Sequence, residues 1–148
     1  MKLSKRVISI TLMIVLVMSL TVALGACGKA EEVSQDVIRE AKTLISDAQG
    51  EFAKLETEIG KLEAEAVAEF NTIVSNAKAV LARAETAVQN ETQKGIDDAK
   101  SEVETLKGEI SKLKTEAEKL EAEAAAEVHT VINTLEEKVR DLENALKK

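Results

Sequence analysis

The sequence predicts an all-α protein: long amphipathic helices from two 58-residue repeats, folded as an antiparallel helical hairpin or coiled coil, with a single long helix as the alternative. Three observations carry this prediction. The 148 residues include no Pro, no Trp, no Tyr and only two Phe, Phe52 and Phe70, too few aromatics for a thick globular core. Ala, Glu, Lys and Leu dominate, the composition of long helices. Apolar residues recur at alternating steps of three and four, the mark of one helical face.

The first element is an amino-terminal leader. Lys2, Lys5 and Arg6 are the only charges in residues 1–26, and residues 7–24 form an uncharged run interrupted by Ser9, Thr11, Ser19 and Thr21. Basic residues ahead of an apolar run are the arrangement of a secretory signal segment. The run also reaches the lower length limit for a spanning helix, so an uncleaved signal anchor is the competing reading.

The run ends in Leu24-Gly25-Ala26-Cys27, which holds the only cysteine. A lone cysteine in an exported chain cannot form an internal disulfide. These four residues resemble the lipobox of bacterial lipoproteins. That resemblance covers residues 1–27 and implies that Cys27 carries diacylglycerol on its sulfur and becomes the new amino terminus. It also implies a protein held at the extracytoplasmic face of the cell membrane by acyl chains such as palmitate. Two acyl chains, at about 0.8 kcal/mol per buried CH₂, anchor stably where one is marginal. On this reading residues 1–26 are signal peptide and 27–33 a lipidated tether.

The first helical repeat is expected over 34–89. Its apolar stripe runs Ile38, Ala41, Ile45, Ala48, Phe52, Leu55, Ile59, Leu62, Ala66, Phe70, Ile73, Ala77, Leu81, Ala84 and Val88. Gly50 lies within the stripe without displacing it and reads as a helix-interior glycine. Gly60 is Glu118 in the second copy, which argues against a turn there.

The stripe fails at Gln89-Asn90-Glu91-Thr92-Gln93-Lys94-Gly95, so 90–95 is read as a turn or polar interruption. Asn90 with Gln93 three residues later has the form of a capping box. A turn here gives a hairpin with arms of about 80 Å, and no turn gives a rod near 170 Å.

The second repeat is expected over 96–148. Residues 108–130 match 50–72 at 15 of 23 positions, an internal duplication. The stripe recurs through Ile96, Ala99, Val103, Leu106, Ile110, Leu113, Ala117, Leu120, Ala124, Val128, Val131, Leu135, Val139, Leu142 and Leu146. From Ile38 to Ile96 it advances 58 residues in 16 steps, about 3.63 residues per step, which predicts nearly straight helices.

Charge excludes several functions. Beyond residue 26 the chain carries 17 basic and 27 acidic residues, so phosphate backbones and anionic bilayer surfaces are repelled and no nucleic-acid partner is expected. Glu51, Lys54, Glu58, Lys61 and Glu65 alternate in sign at helical spacing, and Glu109, Lys112, Glu116, Lys119 and Glu123 repeat them. Such charges support the helix along its own length or pair across a seam. His129 is the only histidine. With Ala125 and Asn133 four residues to either side it has no co-ligand, so no metal is expected.

No nucleophile elbow, phosphate loop or aromatic platform is present, and neither a catalytic residue, a cofactor nor a small-molecule substrate is expected. Lipobox, helical body and the terminal Lys148 together resemble the architecture of murein lipoproteins, although the Tyr-Arg-Lys ending of that family is absent. That likeness implies a wall attachment through Lys148.

The functional expectation is a membrane-anchored envelope lipoprotein whose coiled-coil body is a structural spacer or protein-interaction module. Self-association or partner helices are expected to cover the apolar stripe. The alternative is an amphipathic lipid-binding or stress-protective protein, since the near-eleven-residue period is similar to that of exchangeable apolipoproteins and desiccation-protection proteins.

Overall fold

The computed structural model describes residues 32–148, and residues 1–31 lie outside the described part, with Cys27 and the lipobox among them. The described residues form four helices: α1 (Gln35–Ile59), α2 (Ala64–Gln89), α3 (Gln93–Ala117) and α4 (Ala122–Leu146). The all-α class that the apolar period predicts is what the chain adopts. Each helix has 25 or 26 residues and is therefore about 38 Å long.

The helices form a closed ring in which α1 packs on α2, α2 on α3, α3 on α4 and α4 on α1. Side-chain pairs across the seams fix their directions. Gln49 donates to Glu85 and Lys78 to Glu56 across α1 and α2. Lys107 reaches Glu143 and Lys114 reaches Glu136 across α3 and α4. In each case the partner number falls as the first rises, so neighbours are antiparallel, the up-down-up-down arrangement of a four-helix bundle. The seams between the two copies, α2 on α3 and α1 on α4, are more extensive than those within a copy. Each copy is a thin two-helix hairpin, and the second copy closes its open face.

The polar stretch at 90–95 does end a helix, but the capping differs from the sequence reading. Asn90 closes α2 in the helical region at φ −70°, and Glu91 follows at φ +52°. Thr92, not Asn90, caps α3: its hydroxyl accepts from the Gly95 backbone N–H at 3.0 Å. Gln93 instead donates to Asp97 at 3.2 Å. A Cβ on Gly95 would lie 2.3 Å from the Ala87 carbonyl oxygen, so the tight passage from α2 to α3 requires glycine there.

Each copy also turns in its middle, which corrects the expectation of unbroken arms. The chain folds back at residues 60–63 and 118–121. The replacement of Gly60 by Glu118 does not argue against a turn, because neither position needs glycine: Gly60 has φ −61° and Glu118 φ −65°. Both turns are closed by the same tightened bonds, Lys61 N–H to Glu58 and Leu62 N–H to Ile59, matched by Lys119 to Glu116 and Leu120 to Ala117. Glu63 and Glu121 then adopt extended backbone ahead of α2 and α4.

Just beyond each turn the buried face departs locally from the sequence stripe, then rejoins it through Ala77 to Val88 and Leu135 to Leu146. Up to Ile59 and Ala117 every position of the sequence stripe is buried, with Val37 and Glu51 buried beside it in α1. Beyond the turns, Val74 and Ile132 enter the core, and the predicted Ile73 and Val131 are only half-buried. Ala124 is exposed and Ala125 buried in its place. Both aromatics are core residues, Phe52 in α1 and Phe70 in α2, at 0% and 1% exposure. The stripe that a lone hairpin would leave open is thus covered within one chain.

Candidate functional site

The two ends of the bundle are chemically different. One end holds Glu32, where the described chain begins, the turn at Glu91 and the carboxy-terminal Lys148. Lys42 reaches Glu91 at 2.9 Å there, and Lys148 donates to both oxygens of Glu40 at 2.7 and 2.8 Å. The opposite end, about 38 Å away, holds, among the described residues, only the two mid-copy turns. Their sequence is the most faithfully repeated in the chain, Lys-Leu-Glu-Ala-Glu-Ala at both 61–66 and 119–124.

Between these turns lies a cleft of about 460 Å³. Four equivalent pairs line it: Lys61 with Lys119, Leu62 with Leu120, Glu63 with Glu121 and Ala66 with Ala124. It therefore straddles the axis relating the copies. Glu65, Glu69, Phe70 and Glu116 complete the wall on the side of α2 and α3. The floor is apolar and the rim charged. Larger depressions of 680 and 500 Å³ at the opposite end are more open to solvent, lined by residues such as Asp36, Arg39 and Asp141 in one and Gln35, Ser46 and Asp47 in the other.

The rim charges are arranged by the turns. Glu58 accepts Lys61 at 2.7 Å, and Glu116 accepts Lys119 at 2.6 Å. Each lysine ammonium is held above its usual range by a hydrogen bond to that carboxylate. Glu69 of α2 faces Glu116 of α3. Hydrogen bonding to Glu116, with the repulsion between the two carboxyls, raises the pKa of Glu69, while Lys119 lowers that of Glu116. Two carboxyls share this side of the rim with one ammonium.

A scan of protein-family models finds no match to this chain, nor does comparison with curated proteins or solved structures. Its functional reading rests on its own residues.

The structure distributes the sequence-predicted positions as follows. Of the alternating charges, Lys54 with Glu51 and Lys112 with Glu109 pair three residues apart on one helix, both at 2.6 Å, and the Lys61 and Lys119 pairs belong to the turns. The bridges between helices use other residues. His129 is half-buried, and no group of three or more His, Cys, Asp or Glu suited to a metal ion occurs among the described residues. No helix of the described residues is long and apolar enough to cross a membrane. Cys27 lies outside them. Sequence reasoning missed Glu69 and the cleft, although the identical six-residue segments were a usable signal.

Proposed function

We propose that the protein is a bacterial envelope lipoprotein, anchored through acylated Cys27, whose helical bundle carries a protein-interaction surface away from the extracytoplasmic face of the membrane. The observation that carries this reading is the position of the chain's entry into the bundle. Glu32, five residues after Cys27, joins at the end holding Lys148, and the cleft between the repeated turns is at the other end. An anchor at Cys27 would place the cleft about 38 Å farther from the lipid, the length of one helix.

The spacer role draws support from the closed packing, because four short helices resist bending better than one long one. With the apolar stripe buried inside one chain, self-association is no longer needed to cover it, and partners would meet the polar surface or the cleft. The lipid-binding alternative would require the same stripe to turn outward, at the expense of the whole core.

Metabolic labelling with an alkyne fatty acid tests the anchor. Wild-type protein should take up label, whereas Cys27→Ser should not and should keep its leader. Wild-type protein that sediments with membranes without taking up label overturns the lipoprotein reading.

A further inference from the structure

We propose that the cleft between the two mid-copy turns docks a short basic, amphipathic segment of a partner protein, with apolar side chains on the Leu62 and Leu120 floor and lysine or arginine against Glu69 and Glu116. This rests on the reading of the protein as an interaction module and names the chemistry of its partner.

Charge complementarity selects this occupant. The cleft lining holds five carboxylates, Glu63, Glu65, Glu69, Glu116 and Glu121, against Lys61 and Lys119. Both lysines are already taken by carboxylates of their own turns, so the uncompensated charge at the rim is negative. Glu69 and Glu116 face each other with only one cation, Lys119, between the two of them, and a second guanidinium or ammonium placed there relieves their repulsion. An anionic headgroup or nucleic acid would instead be repelled, as would a second copy of this acidic chain.

The apolar floor supplies the other half of the argument. Leu62 and Leu120 are half-buried and pack against the core, and the buried Phe70 lines the cleft beside them. A highly hydrated cation alone gains nothing from such a floor, whereas an apolar side chain flanked by cations fills it and covers the rim together. No group of acidic residues here is suited to a metal ion among the described residues, which leaves an extended, mixed ligand as the better fit.

The test uses the full chain in nonionic detergent and three synthetic peptides: alternating lysine and leucine, lysine and serine, and glutamate and leucine. The lysine–leucine peptide should bind by calorimetry, and each of the other two at least about tenfold more weakly. The double substitution Glu69→Gln with Glu116→Gln should weaken binding about tenfold, and Asp36→Asn with Asp141→Asn at the opposite end by less than about twofold. Circular dichroism should be unchanged in both, since none of the four side chains belongs to the buried core. The proposal is overturned if the lysine–leucine peptide does not bind, if the lysine–serine peptide binds as well, or if the two double variants lose equally. The mass of the Cys27 peptide from the same preparation separates the two readings. Acylated protein that ignores the peptide overturns the cleft alone, and unacylated protein that binds it overturns the anchor alone.

Discussion

Lys78 of α2 donates to Glu56 of α1 at 2.8 Å, and at the same positions of the second copy the charges are exchanged, with Lys114 of α3 donating to Glu136 of α4 at 2.5 Å. The duplication preserved the pairing and reversed its polarity. Each pair is substantially exposed and contributes about 0.2–1 kcal/mol. Glu56→Lys and Lys78→Glu should each lower the urea midpoint slightly, and the two together should recover it. A double-mutant cycle with no coupling energy would remove the pair from the account.

Glycine substitutions should divide by position. A Cβ at Gly50 or Gly108 meets nothing within 4 Å, so Gly50→Ala and Gly108→Ala should each stabilise the bundle by about 0.5–1 kcal/mol through helix propensity. Gly95→Ala should destabilise it, because its Cβ would meet the Ala87 carbonyl at 2.3 Å. Thermal unfolding reads all three: two melting points up, one down.

The core should be sensitive at its only aromatics. Phe52 and Phe70 are both fully enclosed, one on each helix of the first copy, and truncation of either to alanine should cost about 3–5 kcal/mol in denaturant unfolding. A much smaller loss would mean that the bundle interior is loosely packed at these positions.

Acid sensitivity should trace in part to Glu143. Hydrogen bonds from Lys147 and Lys107 hold its carboxyl at about 2, below the ordinary 4.5. A depressed folded-state value stabilises the bundle above the unfolded value, and that contribution is lost as pH falls from about 4.5 to about 2. Glu143→Gln should flatten the stability profile in that window and leave its shape above pH 5 unaltered. A profile of unchanged steepness would assign the acid limb to other carboxylates.

The overall dimension separates the bundle from both extended forms. Residues 32–148 should scatter as a particle with a maximum dimension of about 50 Å, where a two-arm hairpin gives about 80 Å and a single rod about 170 Å. Either longer value would show that the mid-copy turns open in solution.

Helix, duplication and a break within 90–95, which the structure confines to 90–92, were legible because each has a local physical signal: the 3.6 period, the self-match at 58 residues, and polar residues ending a stripe. The core of α1 and α3 was legible residue by residue for the same reason. The turns at 60–63 and 118–121 left no such signal. They use ordinary negative φ throughout, need no Gly, Pro or Asn, and have no side-chain cap, so Lys-Leu-Glu-Ala-Glu-Ala reads equally well as continuous helix.

The sequence by itself determined that the chain is helical, duplicated and acidic, and that its single cysteine, Cys27, follows an uncharged apolar run. Those properties reside in residue type and spacing along the chain. Only the tertiary structure decided that each copy folds back on itself, that the stripe moves from Ile73 to Val74 and from Val131 to Ile132, and that the identical segments meet in one acid-rimmed cleft. The reason is energetic rather than local. A two-helix arm leaves half of its apolar face in water, and folding twice more lets four such faces bury one another within a single chain.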